Sequence, residues 1–306
     1  MPLNIPDDLP AGEILAREDI FLMNRSRAVH QDIRPQHILL LNLMPKKIET
    51  ETHFIRLLSN SPLQIELELL RIEEHVSTNT PAQHIETFYR NFREIKHKKY
   101  DGMIITGAPL GKIPFEEVYY WQHLQEIMDW AESHVTSTVY VCWAALAACW
   151  HFYNIPKITR KEKRFGVFEH RIVKPHHPLL RGGDDVFWAP HSRNGDIDPK
   201  HIHGHEDLIM IAESEEVGPY LWTSKDHRKI FVLGHAEYDP QCLQNEYERD
   251  IQAGLDIKPP KNYYPSDNPS QSPLIRWRSH GNLMFSNWLN YFVYQMTPFD
   301  RKNITK

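Results

Sequence analysis

The sequence predicts an α/β fold: a mostly parallel sheet with helices on both faces, and antiparallel strands added later in the chain. Three observations carry that expectation. Short apolar runs alternate with amphipathic stretches as far as Tyr153, the order produced by parallel strands joined through crossover helices. From Phe165 to Leu233 the runs shorten and Gly, Pro, Asp and His separate them, which is the texture of mixed or antiparallel strands. No stretch repeats itself, and no Gly/Ser tract or long charge block marks a linker. Residues 1–306 are therefore expected to form one domain, with 1–35 as an N-terminal extension packed on its core.

Each element has its own justification. Ile38-Leu-Leu-Leu-Asn-Leu43 is a continuous apolar run before Pro45, as a strand buried on both faces should be. Lys47 to Leu58 places Ile48, Phe54, Ile55 and Leu58 near one side of a helix. Gln64 to Ile72 alternates Ile65, Leu67 and Leu69 with Glu66 and Glu68, the period of a strand. Thr80-Pro81 opens a helix with a capping threonine and an N1 proline, and Ile85, Phe88, Tyr89, Phe92 and Ile95 follow at helical spacing. Gly102 to Thr106 is a buried strand ending in Gly107; a helix from Phe115 to about Ser133 leads to the strand Ser137–Val141 and the apolar helix Trp143–Tyr153. Gly166–Val173, Val186–Ala189, Leu208–Ala212, Tyr220–Thr223 and Ile230–Leu233 are the later short strands. Two helices, Gln241–Gly254 and Leu274 to about Gln295, close the chain around a Pro-rich segment, Lys258–Pro273.

Composition removes several function classes. The 35 basic and 40 acidic residues leave a net charge of −5, which gives no bulk attraction to a nucleic acid. Mean hydropathy is −0.54, and no apolar run approaches the roughly 18 residues that a membrane-spanning helix requires. Met1 to Pro10 is acidic and carries three prolines, the reverse of a secretory signal, so the expected location is the cytoplasm. Cys142, Cys149 and Cys242 are too few for a disulfide framework and read as free thiols.

The chemistry begins at Cys142, where an apolar strand ends and an Ala-rich helix starts. A side chain there stands at the carboxyl edge of the sheet, where open α/β folds bind ligands, and beside the positive end of a helix, which stabilises a thiolate. This is the arrangement of a nucleophile elbow, in which the amide of the next residue, Trp143, supplies half of an oxyanion hole. Position alone also fits a packed core thiol, as Cys149 and Cys242 read. A nucleophilic thiol wants an adjacent base. Phe231 to Tyr238 is a buried strand ending at Gly234, with His235 and Glu237 two residues apart and so directed to one side of an extended segment. Glu237 could hold the imidazole tautomer and stabilise its cation. Because Cys142 and His235 each follow a buried strand, both are expected at one edge of the sheet.

A strand-elbow Cys with a late Gly-His-x-Glu resembles the class I glutamine amidotransferase superfamily. Long motifs are similar, more specifically, to the homoserine O-succinyltransferase family of methionine biosynthesis: Leu41-Asn-Leu-Met-Pro-Lys-Lys-Ile-Glu-Thr50, Leu57-Leu-Ser-Asn-Ser-Pro-Leu63, Thr106-Gly-Ala-Pro-Leu-Gly111, Ala189-Pro-His-Ser-Arg193, Trp277-Arg-Ser-His-Gly-Asn282 and Asn287-Trp-Leu-Asn290. The resemblance covers essentially the whole chain. It implies a flavodoxin-like, class I glutamine amidotransferase-like fold and a homodimer. It also implies transfer of succinyl from succinyl-CoA to L-homoserine through a thioester on Cys142, with His235 as proton acceptor and Glu237 as its partner. Substrate contacts at Lys163, Ser192 and Arg249 are implied as well, with succinyl-CoA as the donor and no permanently bound cofactor. Glycine at position 111 implies succinyl rather than acetyl transfer: a glutamate there would oppose the terminal carboxylate with bulk and like charge. Two places depart from the superfamily pattern. Tyr140 and Ala144 stand where its elbow has glycines, and Ala236 replaces the usual proline between His and Glu.

Other residues read less specifically. Glu246 and Arg249 share a helix face, as an exposed ion pair or as partners for the ammonium and carboxylate of an amino acid. Arg160-Lys-Glu-Lys-Arg164 is a solvated face or a landing place for the phosphates of CoA, and Ser192 reads as a loop residue. Lys47 and an amide from the Gly107–Gly111 turn are candidates, with Trp143, for the oxyanion site. His201-Ile-His-Gly-His205 lacks the companions of a metal site, so no metal is expected. The alternatives to succinyl transfer are acetyl transfer, a glutamine amidotransferase-type Cys hydrolase, and a non-catalytic amino-acid sensor.

Overall fold

The computed structural model describes residues 3–6, 8–17, 23–24, 34–72, 79–298 and 300–305. Strand β1 (Leu3–Ile5) pairs in parallel with β2 (Met23–Asn24) at one sheet edge, and α1 (Pro10–Ala16) buries Ala11 and Leu15. The apolar run after Gln36 forms β3 (Gln36–Leu41), followed by α2 (Lys47–Ser59) and the alternating strand β4 (Ile65–Arg71). In β3 the side chains divide between two cores: Ile38 and Leu40 meet Phe54, Phe285 and Trp288 on one face, Leu39 and Leu41 meet Leu124, Met128 and Trp143 on the other. A strand covered on both faces reads as an unbroken apolar run for this reason.

Thr80 to Ile95 reads as one helix in the sequence, but two short ones form. Helix α3 (Ala82–Phe88) stops, β5 (Tyr89–Asn91) pairs with β4, and α4 (Phe92–Ile95) resumes. The Tyr89 hydroxyl donates to Glu51 and accepts from the Asn42 amide, while Asn91 and Glu94 form a capping box that starts the second helix. Thr80 does not cap; its hydroxyl donates to the Pro45 carbonyl and accepts from the Lys47 amide. The next strand, β6 (Tyr100–Ile105), leads to a 3-10 turn, Phe115–Glu117, so α5 (Trp121–His134) starts later than the sequence suggests. Phe115 turns back to stack on Trp121, with ring centroids 5.2 Å apart.

Strand β7 (Val135–Val141), helix α6 (Trp143–Tyr153) and the long strands β8 (Ile158–Ile172) and β9 (Val186–Asp196) follow. Then come α7 (Pro199–His203), β10 (Leu208–Ser214), β11 (Gly218–Ser224), β12 (Lys229–Val232), α8 (Cys242–Gln252) and α9 (Arg278–Asn287), which continues through a π-helical stretch, Trp288–Tyr294. The sheet order is β2-β1-β4-β3-β6-β7-β12-β11-β10-β8-β9, with β5 beside β4. Pairing is parallel as far as β12 and antiparallel beyond it. Among the described residues no helix is long and apolar enough to cross a membrane.

Candidate active site

The strand-to-helix turn after β7 has the strain expected of an elbow. Cys142 adopts φ 52° and ψ −112°, a conformation that costs a non-glycine residue about 1–3 kcal/mol and persists only where its surroundings hold it. Here the Cys142 amide donates to the Val232 carbonyl of the neighbouring strand at 2.7 Å, and its carbonyl accepts from Ala145 at 3.1 Å. Tyr140 and Ala144, which replace the glycines of the superfamily pattern, are fully buried. Cys142 lines a cavity of about 1600 Å³ at the carboxyl ends of the parallel strands. As the first helical residue, Trp143 has no acceptor for its amide within the helix.

The second member arrives from β12, beside β7 in the sheet. The His235 amide donates to Pro190 at 2.9 Å, and His235 Nδ1 lies 2.6 Å from Glu237 Oε1. With Nδ1 committed to the carboxylate, Nε2 is the nitrogen left to hydrogen-bond the Cys142 sulfur. Burial pulls the imidazole pKa down, but the Cys142 sulfur and the Glu237 carboxylate outweigh it and hold His235 well above its ordinary range. The Ala236 turn is closed by packing: a Cβ on Gly281 would come within 3.1 Å of the Ala236 methyl. Gly107 leaves space beside the pair, since a Cβ there would lie 3.2 Å from Cys142 Cβ and 3.8 Å from His235 Cε1.

The opposite cavity wall comes from β8, β9 and α8. Ser192, a loop residue in the sequence reading, lies instead on β9, because the strand runs on through the Pro190-His-Ser-Arg193 motif to Asp196 in register with β8. Ser192 Oγ donates to Glu246, and Lys163 Nζ reaches Glu246 Oε2 at 2.8 Å and Asp250 Oδ2 at 3.4 Å. Burial raises the Glu246 pKa, but Lys163 and Ser192 together bring it below the ordinary carboxylate range. Arg249 does not pair with Glu246. It binds Asp250 Oδ1 through Nε at 2.9 Å and Nη2 at 2.6 Å, with its side chain 62% exposed. All of these residues line the cavity. Asp250 and Tyr238 were not singled out in the sequence, although Asp250 adjoins Arg249 and Tyr238 adjoins Glu237.

Lys47 is placed otherwise than as an oxyanion partner. Its Nζ is buried on the carbonyls of Asn42 at 2.6 Å and Met44 at 3.5 Å, outside the cavity lining. Its charge secures the turn before α2, and burial lowers its pKa to about 8. Gly111 lines the cavity against β9, where a Cβ would meet the Gly195 amide nitrogen at 2.9 Å. Glu49 and His53 of α2 and Cys242 of α8 bring donor atoms within 4.8 Å of one another and line the same cavity. These donors already have partners: Lys46 pairs with Glu49, and Asp239 with His53.

The model of the homoserine O-succinyltransferase family matches residues 2–299. The chain belongs to that family. Proteins named homoserine O-succinyltransferase are similar along nearly its whole length. The one from Vibrio vulnificus (strain YJ016) is 59% identical over 300 residues, covering 98% of this chain and 96% of that protein. The one from Aliivibrio fischeri (strain MJ11) is 56% identical over 306 residues, covering 100% and 98%. Among solved structures, a glutamine amidotransferase from Thermotoga maritima aligns with TM-score 0.53 at 10% identity over 84% of this chain and 98% of that one. A glutamine amido transferase from Methylobacillus flagellatus gives 0.52 at 12% identity over 84% and 95%. These likenesses show the class I glutamine amidotransferase-like fold, the architecture expected from the sequence.

Proposed function

We propose that this member of the homoserine O-succinyltransferase family transfers succinyl from succinyl-CoA to the hydroxyl of L-homoserine through a thioester on Cys142, giving O-succinyl-L-homoserine and CoA for methionine biosynthesis. One observation carries the mechanism: a strained cysteine at a helix start shares a cavity with a histidine whose other nitrogen is held by a carboxylate. The Cys142 sulfur and the Glu237 carboxylate, which raise the imidazole pKa, suit His235 to take the Cys142 proton as the thiolate forms. The thiolate attacks the thioester carbonyl, the bond from carbon to the CoA sulfur breaks, and the departing thiolate takes the proton from His235 Nε2. The developing oxyanion lies by the Trp143 amide and the Gly107 turn. His235, now neutral, accepts the γ-hydroxyl proton as the homoserine oxygen attacks the acyl-enzyme, and collapse regenerates the thiolate and the imidazolium.

Lys163, Ser192 and Glu246 face this pair from the other wall and are suited to an amino acid's charged groups, with Arg249 at the rim. The reading includes a cytoplasmic homodimer, for which exposed Tyr294 and Met296 offer apolar surface; sedimentation of the purified chain tests the dimer. Intact-protein mass spectrometry after mixing with succinyl-CoA tests the chemistry. One added succinyl group mapping to Cys142, discharged by homoserine and absent in Cys142→Ala, is the expected result. A glutamyl adduct formed only with glutamine would identify a hydrolase, and no adduct with either a binding protein.

A further inference from the structure

One ring touches both halves of the cavity. Tyr238 stacks on His235 with centroids 4.1 Å apart and planes at 15°, on a segment where Nδ1 of that imidazole is held by Glu237. The Tyr238 hydroxyl donates to Glu246 Oε1 at 3.2 Å, while Lys163 and Ser192 occupy Oε2 of the same carboxylate. The backbone is pinned at both ends: the Tyr238 amide donates to the His235 carbonyl at 3.3 Å, and its carbonyl accepts from Trp277 Nε1 at 3.0 Å. The His53 ring also neighbours it, with centroids 6.3 Å apart and planes tilted by 52°. The orientation of Tyr238 is therefore set by neighbours outside the reacting groups. Its face fixes the plane of the base, and its hydroxyl fixes the carboxylate of the opposite wall.

We propose that Tyr238 is a positioning residue that aligns His235 through its ring face and Glu246 through its hydroxyl, coupling the proton acceptor to the subsite of the accepting amino acid. The inference rests on the acyl-transfer reading for its kinetic half. Its two contacts are separable by substitution, because phenylalanine keeps the face and loses the hydroxyl, whereas leucine loses both.

In Tyr238→Phe, CoA release in the first turnover with succinyl-CoA should stay within about twofold of wild type, while KM for homoserine rises roughly tenfold, the scale of one hydrogen bond to a charged group. In Tyr238→Leu the first turnover should also slow, by roughly tenfold. The NMR titration of the His235 ring should move toward an ordinary imidazole in this variant alone, since an aromatic face favours the cation. An unchanged homoserine KM in Tyr238→Phe, or equal losses in both half-reactions, would overturn the proposal. So would an unchanged ring titration in Tyr238→Leu. If Tyr238→Leu does not fold, Tyr238→Phe decides alone. Wild-type protein that never takes succinyl on Cys142 refutes the acyl-transfer reading instead, and the ring titrations still decide whether Tyr238 orients His235.

Discussion

The two walls of the cavity are built by different rules. Cys142 and His235 sit at the ends of β7 and β12, adjacent parallel strands in register from Lys229–Thr138 to Val232–Val141. Lys163, Ser192 and Glu246 come from two long antiparallel strands and a helix, and 83 residues separate Lys163 from its partner Glu246. In the first wall, each side chain is aimed by the turn that follows its own strand. In the second, it is aimed by an ion-pair and hydrogen-bond cluster that exists only once the chain has folded. The proposed thiol–imidazole pair would tolerate little displacement and stands on the more rigid frame, whereas the proposed binding subsite is assembled from longer-range contacts.

The largest effects should therefore come from the first wall. Cys142→Ser should lower kcat at least about 10⁴-fold, because a hydroxyl beside the same imidazole is a far weaker nucleophile. Glu237→Gln should cost roughly 10²–10⁴-fold by loosening the tautomer and the imidazolium. Single-turnover CoA release reads both. A Glu237→Gln enzyme with wild-type acylation would mean that the turn alone orients His235, and the contrast between the walls would weaken.

Sequence reasoning reached these walls unequally for the same physical reason. An apolar run ending in Cys142 and another ending in Gly234-His235 declare their geometry locally, because strand ends and helix starts are written in neighbouring residues. Tyr89 shows the limit. Helical spacing carries it in the sequence, yet its hydroxyl bonds to Asn42 and Glu51 and the backbone joins the sheet. Ser192 misled in the same way, since proline, histidine and arginine around it suggest a loop while register with β8 keeps the strand going. Lys47 looked available beside the site, and only the folded turn reveals two carbonyls closed around its ammonium. Arg249 likewise chooses its sequence neighbour Asp250 over the residue on its own helix face.

Gly111 joins the walls, as it lines the cavity while its Cα faces the β9 backbone at Asn194 and Gly195. Gly111→Glu should lower kcat/KM for succinyl-CoA roughly 10²-fold and that for acetyl-CoA much less, through lost space and like-charge repulsion. Side-by-side rates with the two donors measure this. Equal losses would show that the clash with Gly195 distorts β9 generally, and that position 111 does not select the acyl group.

The smallest effect separates the walls by stability. The antiparallel half buries two histidines face to face, His170 and His191, with Nε2 atoms 3.0 Å apart. Burial pushes His170 down to about 3, with nearby Arg193 acting in the same direction, and burial followed by Arg193 holds His191 well below its ordinary value. Both are neutral when folded and take protons when unfolded below about pH 6.5, so the unfolded chain binds more protons as pH falls. Stability present above about pH 6.5 is thus lost toward pH 3, by about 2 kcal/mol per buried histidine at pH 5. His235, raised when folded, has the opposite sign: it stabilises below its unfolded pKa and loses that contribution as pH rises through the folded one. Urea midpoints should fall between about pH 7 and pH 5, and His170→Gln, which removes one titrating ring, should flatten that slope. Hydrogen exchange at pH 5 should quicken in β8 and β9 before β3 and β6. If both halves loosen together, the histidine pair acts on the whole sheet, and the antiparallel wall is no more separable in stability than it is in space.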